Sequence, residues 1–143
     1  MGKNNTITKI AITGSTALTL NSMIEIQKLS THKILYVFGL SDKNKETKTN
    51  SVHLKEFCKS HNIVLDESEN WESCYNFCIQ NNVDLIITLG DSRILPKFIV
   101  NRFETIGNHG AVLPHVQGGA SLVWGRILNT GEWGISIMRI GEK

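Results

Sequence analysis

The pattern of apolar residues along the chain restricts the possible fold more than any other feature. Short runs rich in β-branched residues, typical of buried strands, alternate with segments in which apolar residues recur every three or four positions, as in helices. We predict strands at 7–15, 33–40, 63–68, 83–91, 105–114 and 134–140, and helices at 19–30, 51–62, 71–82, 94–103 and 120–131. The polar segment 41–50 contains no apolar residue and is predicted to be a loop.

This alternation predicts a mostly parallel sheet of about six strands with helices on both faces, joined by right-handed crossovers. It is the pattern of an α/β, Rossmann-like, doubly wound fold, and 143 residues fit a single domain over 1–143. Ligands of such sheets bind beyond the carboxyl ends of the strands. Three predicted loops meet this description: GSTA at 14–17, GDSR at 90–93 and NHGAVLP at 108–114.

Composition and charge argue against several classes of protein. The net charge of +2 is too small to predict a nucleic-acid-binding protein. No apolar run is long enough to span a membrane, and the N-terminal MGKNNT lacks a signal-peptide core, so we expect a cytoplasmic protein. Cys58, Cys74 and Cys78 form no even disulfide framework. Because no further ligands accompany the i, i+4 pair at 74 and 78, we predict buried thiols and no metal.

The first of the three loops allows two interpretations. It has one glycine where a dinucleotide-binding turn needs three. Gly14 and Ser15 nevertheless precede a predicted helix, whose N-terminal N–H groups could bind a phosphate and make the protein a nucleotide-binding module. Alternatively the loop is a tight turn in which Ser15, Thr16 or Thr19 caps the helix.

His109 is the only histidine at the end of a predicted buried strand. There an imidazole can act near neutral pH as an acid, a base or a hydrogen-bond donor to a developing oxyanion. Gly110 and Ala111 leave room beside it for a substrate. The structural alternative is a histidine whose ring is satisfied by backbone groups.

Two motifs resemble a known family. IGNHGAVLPHVQGG at 106–119 and DLIITLGDSRILPKFIV at 84–100 resemble signatures of the folate-dependent formyltransferases, which include methionyl-tRNA, glycinamide ribonucleotide and sugar N-formyltransferases. His109, Leu113, Pro114 and Gly118 fall at the family's spacings, and Ile94 to Lys97 match its second motif. The opening segment KIAITGSTALTLNSMIEI is similar to the family's first strand and turn.

The resemblance implies transfer of a formyl group from 10-formyltetrahydrofolate to a primary amine, with an amino sugar on a nucleotide as the preferred acceptor. It implies His109 and Asn108 as catalytic residues. We expect the folate to be bound by Thr88, Leu89, Gly90, Asp91, Ser92, Arg93, Ile94, Leu95 and Leu113. We expect the amine substrate to be bound by Gly14, Ser15, Gln117 and Gly118.

The sequence departs from the family's pattern in two places. The family's asparagine lies two residues before the histidine, where this chain has Gly107, and adjacent side chains of a regular strand point to opposite faces. A bulge at Gly107 would re-aim Asn108. The family's catalytic aspartate is expected near position 145, beyond Lys143, so that the domain ends just before it and Glu142 is the nearest carboxylate.

These departures leave two alternatives to the amino sugar enzyme. One is a truncated or degenerate, non-catalytic formyltransferase-like domain, and the other is an enzyme like methionyl-tRNA formyltransferase. The sixth predicted strand, 134–140, would form an open sheet edge that invites pairing with a second copy of the chain. A homodimer is therefore a further hypothesis.

Overall fold

The computed structural model describes residues 6–113, 121–129, 131 and 134–141. Strands and helices alternate along the chain in nearly the predicted order. They are β1 (Thr8–Thr13), α1 (Ala17–Ile26), β2 (His32–Phe38), α2 (Asp42–Thr47), α3 (Lys55–Ser60), β3 (Val64–Asp66), α4 (Trp71–Gln80), β4 (Leu85–Thr88), α5 (Lys97–Val100), β5 (Glu104–His109), α6 (Ser121–Ile127) and β6 (Ser136–Arg139).

The six strands form one sheet in the order β3-β2-β1-β4-β5-β6. The first five strands are parallel, and β6 is antiparallel to β5. This confirms the mostly parallel, Rossmann-like sheet. The chain proceeds outward from β1 through β2 to β3 and then returns to β4 on the other side of β1. The strand order therefore reverses between β1 and β4, where such sheets form a ligand-binding crevice.

Each face of the sheet has its own apolar core, as expected for a sheet covered by helices on both sides. One cluster joins strand residues such as Ala11 and Phe38 to Cys74 and Cys78 of α4. The other joins Ile10, Ile12 and Ile34 to Met23 of α1 and Cys58 of α3. The three cysteines are buried free thiols. In the part of the chain that the structure describes, no helix is long and apolar enough to cross a bilayer.

The prediction of a loop at 41–50 is wrong, because α2 occupies Asp42–Thr47. Ser41 caps this helix by accepting a hydrogen bond from the Asn44 N–H. Lys45 is buried and forms ion pairs with Asp42 and with Glu67. Helix α2 therefore packs through the aliphatic part of the Lys45 side chain, while the charge of that lysine is paired. Because lysine is a polar residue, such a contact gives no apolar periodicity in the sequence.

Candidate active site

A cleft of about 520 Å³ opens at the carboxyl ends of β4 and β5, beside β6. Asn108 and Gly110 border it from the end of β5, and Met138 and Ile140 border it from β6 and its end. Six of the residues predicted to bind folate also line it: Thr88, Gly90, Asp91, Ser92, Arg93 and Leu95. We call this space the β4–β5 cleft.

The other three residues predicted to bind folate lie elsewhere around this region. Leu89 is buried, with 9% of its surface exposed. Ile94 is 91% exposed and is not among the described residues that line the cleft, although we expected it to form an apolar wall. Leu113 is half-buried, and its N–H donates to the Ser136 hydroxyl of β6 at 3.0 Å.

An ion pair between Asp91 and Arg93 holds the loop after β4 against the end of β2. Arg93 Nε lies 2.9 Å from Asp91 Oδ1, and the terminal nitrogen Nη2 lies 2.7 Å from Oδ2. The guanidinium also donates to the carbonyl groups of Phe38 and Gly39 at 2.8 and 3.1 Å. It stacks over the Phe38 ring and lies 5.3 Å from the centre of the Trp71 ring. The loop is thus held by charge-assisted hydrogen bonds as well as by packing.

The turn after β1 is a capped helix start. Thr16 is the N-cap of α1, and Thr19 completes a capping box with it. The Ala17 N–H donates to the Asn50 carbonyl and the Thr19 N–H donates to the Thr16 hydroxyl, so these two N–H groups of the first turn already have partners within the chain.

Gly14 and Ser15, predicted to bind substrate, are both buried in this turn. The Ser15 hydroxyl accepts a hydrogen bond from the Leu40 N–H at 2.7 Å. Gly14 has φ of 137°, and a Cβ there would lie 2.2 Å from the Leu89 carbonyl oxygen. The other two predicted substrate-binding residues, Gln117 and Gly118, lie outside the described residues, as do Pro114 and Glu142.

The bulge at Gly107 that would re-aim Asn108 is absent, because β5 pairs with β6 in unbroken register from Ile106 to His109. A Cβ at Gly107 would lie 2.6 Å from both Thr88 Cγ2 and Ile140 Cδ1. Those two side chains therefore fill the space that a longer residue at position 107 would need. Asn108 instead faces the turn after β4, where its Oδ1 accepts a hydrogen bond from the Gly90 N–H at 3.4 Å.

His109 ends β5. Its neighbours Asn108 and Gly110 line the cleft, whereas His109 is not among the described residues that line it. The residue is half-buried, but its Nε2 atom is fully buried and has no hydrogen-bond partner among the described residues. Leaving a buried polar atom unpaired costs about 1–3 kcal/mol. Native structures contain few such atoms, and among the described residues Thr13 Oγ1 and Ser51 Oγ are the others.

At the end of β3, the carboxylate of Asp66 has a pKa that differs from its ordinary value. Burial alone would raise the pKa of Asp66, but hydrogen bonds from Ser68, Tyr36 and Ser73 lower it below its ordinary value of 3.8. Burial and the bond to Asp66 raise the pKa of the Tyr36 hydroxyl.

The residues described by the structure include no group of three or more His, Cys, Asp or Glu side chains that could hold a metal ion.

Comparison with known proteins finds relatives of this chain. No family model matches the chain. The methionyl-tRNA formyltransferase of Prochlorococcus marinus subsp. pastoris is 29% identical over 126 residues, which are 83% of this chain and 38% of that protein. The same enzyme of Mesoplasma florum is 23% identical over 141 residues, 94% of this chain and 44% of that protein. The chain thus spans less than half the length of these curated relatives.

Solved structures share the fold. Phosphoribosylglycinamide formyltransferase of Anaplasma phagocytophilum has a TM-score of 0.77 at 14% identity, covering 96% of this chain and 66% of its own. A formyltetrahydrofolate deformylase of Pseudomonas putida has a TM-score of 0.73 at 14% identity, covering 99% and 52%. The chain is thus similar to folate-dependent formyltransferases in sequence over most of its length, and it shares their fold. The resemblance stated from the two sequence motifs is therefore confirmed.

Within this formyltransferase fold, sequence reasoning missed several residues around the cleft. Met138 and Ile140 reach it only because β6 pairs antiparallel with β5. Thr19 bonds to the Leu89 carbonyl across 70 positions of sequence. Lys48 donates to the Ser92 hydroxyl on the cleft wall at 2.7 Å. No local signal marks these contacts, because each depends on the pairing of distant segments.

Proposed function

We propose that this chain transfers a formyl group from 10-formyltetrahydrofolate to a primary amine at the β4–β5 cleft. The observation that carries the proposal is the buried, unpaired Nε2 of His109, the residue that directly follows the cleft-lining Asn108 at the end of β5. The volume of the cleft lies within the range of sites for small molecules. Its polar backbone groups at 88–95 and the apolar side chain of Leu95 suit a flat, hydrogen-bonding ring such as the reduced pterin of the folate.

The reaction requires few groups from the protein. A bond forms between the amine nitrogen and the formyl carbon, and the bond from that carbon to the folate nitrogen breaks. The amine loses a proton, and the folate nitrogen gains one. Negative charge develops on the formyl oxygen, and donors positioned in advance stabilise it. We assign the Nδ2 of Asn108 as such a donor and the imidazole of His109 as the group that holds the proton in transit, which requires its buried Nε2 to turn toward the cleft.

The acceptor amine is the finer part of the proposal. The amino sugar of a nucleotide remains the preferred acceptor from the sequence, whereas the names of the curated relatives favour methionyl-tRNA. Both should be offered to the protein with 10-formyltetrahydrofolate, together with glycinamide ribonucleotide, and the release of tetrahydrofolate measured. We expect turnover with one acceptor and none with the others.

Replacement of His109 tests the chemistry. His109→Ala should abolish turnover, whereas His53→Ala, at a side chain that is 79% exposed, should leave it unchanged. Folate binding by calorimetry without turnover of any acceptor would favour the non-catalytic alternative. Absence of both binding and turnover would refute the proposal.

The proposal includes self-association through β6. This strand lies at the edge of the sheet, and Ile135 and Ile137 are 62% and 69% exposed. An exposed apolar edge is a template for pairing with another strand. Light scattering should give the mass of a dimer, and Ile137→Lys should give the mass of a monomer. A monomeric mass for the unaltered chain would refute this part.

A further inference from the structure

Thr19 is a fully buried polar residue of α1 that bonds to the loop bordering the cleft. Its hydroxyl donates to the Leu89 carbonyl at 2.6 Å, and its Oγ1 accepts a hydrogen bond from the Thr16 N–H at 3.0 Å. The Thr19 hydroxyl thus donates a hydrogen bond to the turn after β4 and accepts one from the start of its own helix. Capping of α1 requires only the second of these two bonds.

The turn after β4 fits tightly against the start of α1. Gly90 has φ of 64°, and a Cβ there would lie 2.0 Å from Thr16 Oγ1. On the preceding side, the Leu89 N–H donates to the Thr13 carbonyl at 3.0 Å. The peptide between Leu89 and Gly90 therefore has close contacts with β1 and with α1, and little freedom to rotate.

That peptide connects Thr19 to Asn108. The Leu89 carbonyl and the Gly90 N–H belong to one planar unit, in which they point in opposite directions. Thr19 binds the carbonyl end, and Asn108 Oδ1 accepts from the N–H end. A rotation of the peptide at one end moves the hydrogen bond at the other, and hydrogen bonds in such a chain polarise one another.

We propose that Thr19 is a positioning residue for the amide of Asn108, acting through the Leu89–Gly90 peptide. By fixing the Gly90 N–H, it holds Asn108 Oδ1 on the backbone and leaves Nδ2 as the group free to donate to a ligand. The consequence for catalysis rests on the proposed function, in which Nδ2 donates to the formyl oxygen. The structural connection does not depend on that function.

Substitution at Thr19 tests the catalytic consequence. Thr19→Val keeps the shape of the side chain but removes its donor and acceptor, and we expect kcat to fall roughly 10- to 100-fold with KM for the folate nearly unchanged. Thr19→Ser keeps the hydroxyl and should restore kcat. Thr105→Val is the matched control. Thr105 is equally buried and donates to the Phe103 carbonyl at 3.1 Å, at the other end of β5.

A double-mutant cycle separates positioning from a general loss of structure. In an Asn108→Ala background, Thr19→Val should have no further effect on kcat, because the amide that it positions is gone. Equal losses of kcat in both backgrounds would overturn the proposal. Should the valine variant fail to fold, Thr19→Ala, which also removes the hydroxyl, is expected to give the same pattern.

Nuclear magnetic resonance of the ¹⁵N-labelled protein tests the connection without folate or acceptor. Thr19→Val should shift the resonances of the Gly90 amide and the Asn108 side-chain amide, and Thr105→Val should leave them in place. Such shifts in a protein that turns over no acceptor would refute the proposed function and support the positioning role. Unmoved resonances and unchanged kcat in an active enzyme would refute the positioning role alone.

Discussion

Removing the Asp91 carboxylate should destabilise the fold strongly, because it leaves a charged guanidinium in a mostly buried position. The side chain of Asp91 is 2% exposed and that of Arg93 is 15% exposed. Breaking a buried ion pair by deleting one partner typically costs about 3–5 kcal/mol. Arg93 retains its bonds to the Phe38 and Gly39 carbonyls. We therefore expect Asp91→Ala to lower the free energy of unfolding by about 3 kcal/mol, the lower end of that range.

The chain contains a matched pair that isolates the effect of burial. Lys28 and Glu25 lie 2.8 Å apart, nearly the distance of the Asp91–Arg93 pair, but their side chains are 65% and 69% exposed. Exposed pairs contribute about 0.2–1 kcal/mol, because water screens the charges. Glu25→Ala should therefore change stability by less than about 1 kcal/mol.

Urea unfolding of the three proteins measures the difference. The slope of the free energy against urea should stay constant while the midpoint falls, since the surface exposed on unfolding is nearly the same. If Asp91→Ala and Glu25→Ala lowered the midpoint equally, the ion pair would not be a buried structural contact, and the account of the loop given above would be wrong.

Three further predictions follow from backbone geometry and titration. Gly90→Ala should lower the free energy of unfolding by about 1–2 kcal/mol, because residue 90 has a left-handed backbone conformation, and the clash of the new Cβ with Thr16 should lower it further. Gly131→Ala is the control: it has open space around it and should leave the free energy of unfolding unchanged in the same urea assay. In the folded protein the pKa of Asp66 lies below its ordinary value, so the contribution of Asp66 to stability is present above about pH 4 and is lost as the pH falls through and below 3.8. Asp66→Asn should therefore make stability depend less on pH at the acid end of a stability–pH profile. An unchanged dependence would contradict this. Burial, with the charge of Glu67, raises the pKa of Cys58 to about 11, and iodoacetamide should modify the three buried cysteines only after unfolding, with rapid labelling of the native protein as the contrary result.

The sequence predicted those features that depend on local patterns. Apolar runs located the strands of the parallel part of the sheet, because the central strands are buried on both faces over their own few residues. The antiparallel edge strand β6 also has an apolar run, although Ile137 within it is 69% exposed. The glycine-rich motif around His109 located the end of β5. Helix α2 was missed because its contacts include the ion pair of Lys45 with Glu67, 22 residues away, which no local window contains.

The details of the candidate site required the register of the sheet. Both Gly107 and Asn108 were recognised in the sequence, where a bulge at Gly107 was one way in which the asparagine could be re-aimed. The strands instead run in unbroken register, and Asn108 meets Gly90 directly. The sequence could not distinguish these outcomes, because a shift of one residue exchanges the faces to which all side chains of a strand point.

The sequence by itself determined the architecture of this protein and its resemblance to formyltransferases, since strand–helix alternation and the two motifs are properties of contiguous residues. Only the tertiary structure decided which atoms meet at the cleft. The contacts of Thr19 with Leu89, of Gly90 with Asn108 and of Asp91 with Arg93 and the end of β2 arise where three strand ends converge. Their hydrogen bonds depend on distances of a few tenths of an ångström, which sequence spacing does not encode.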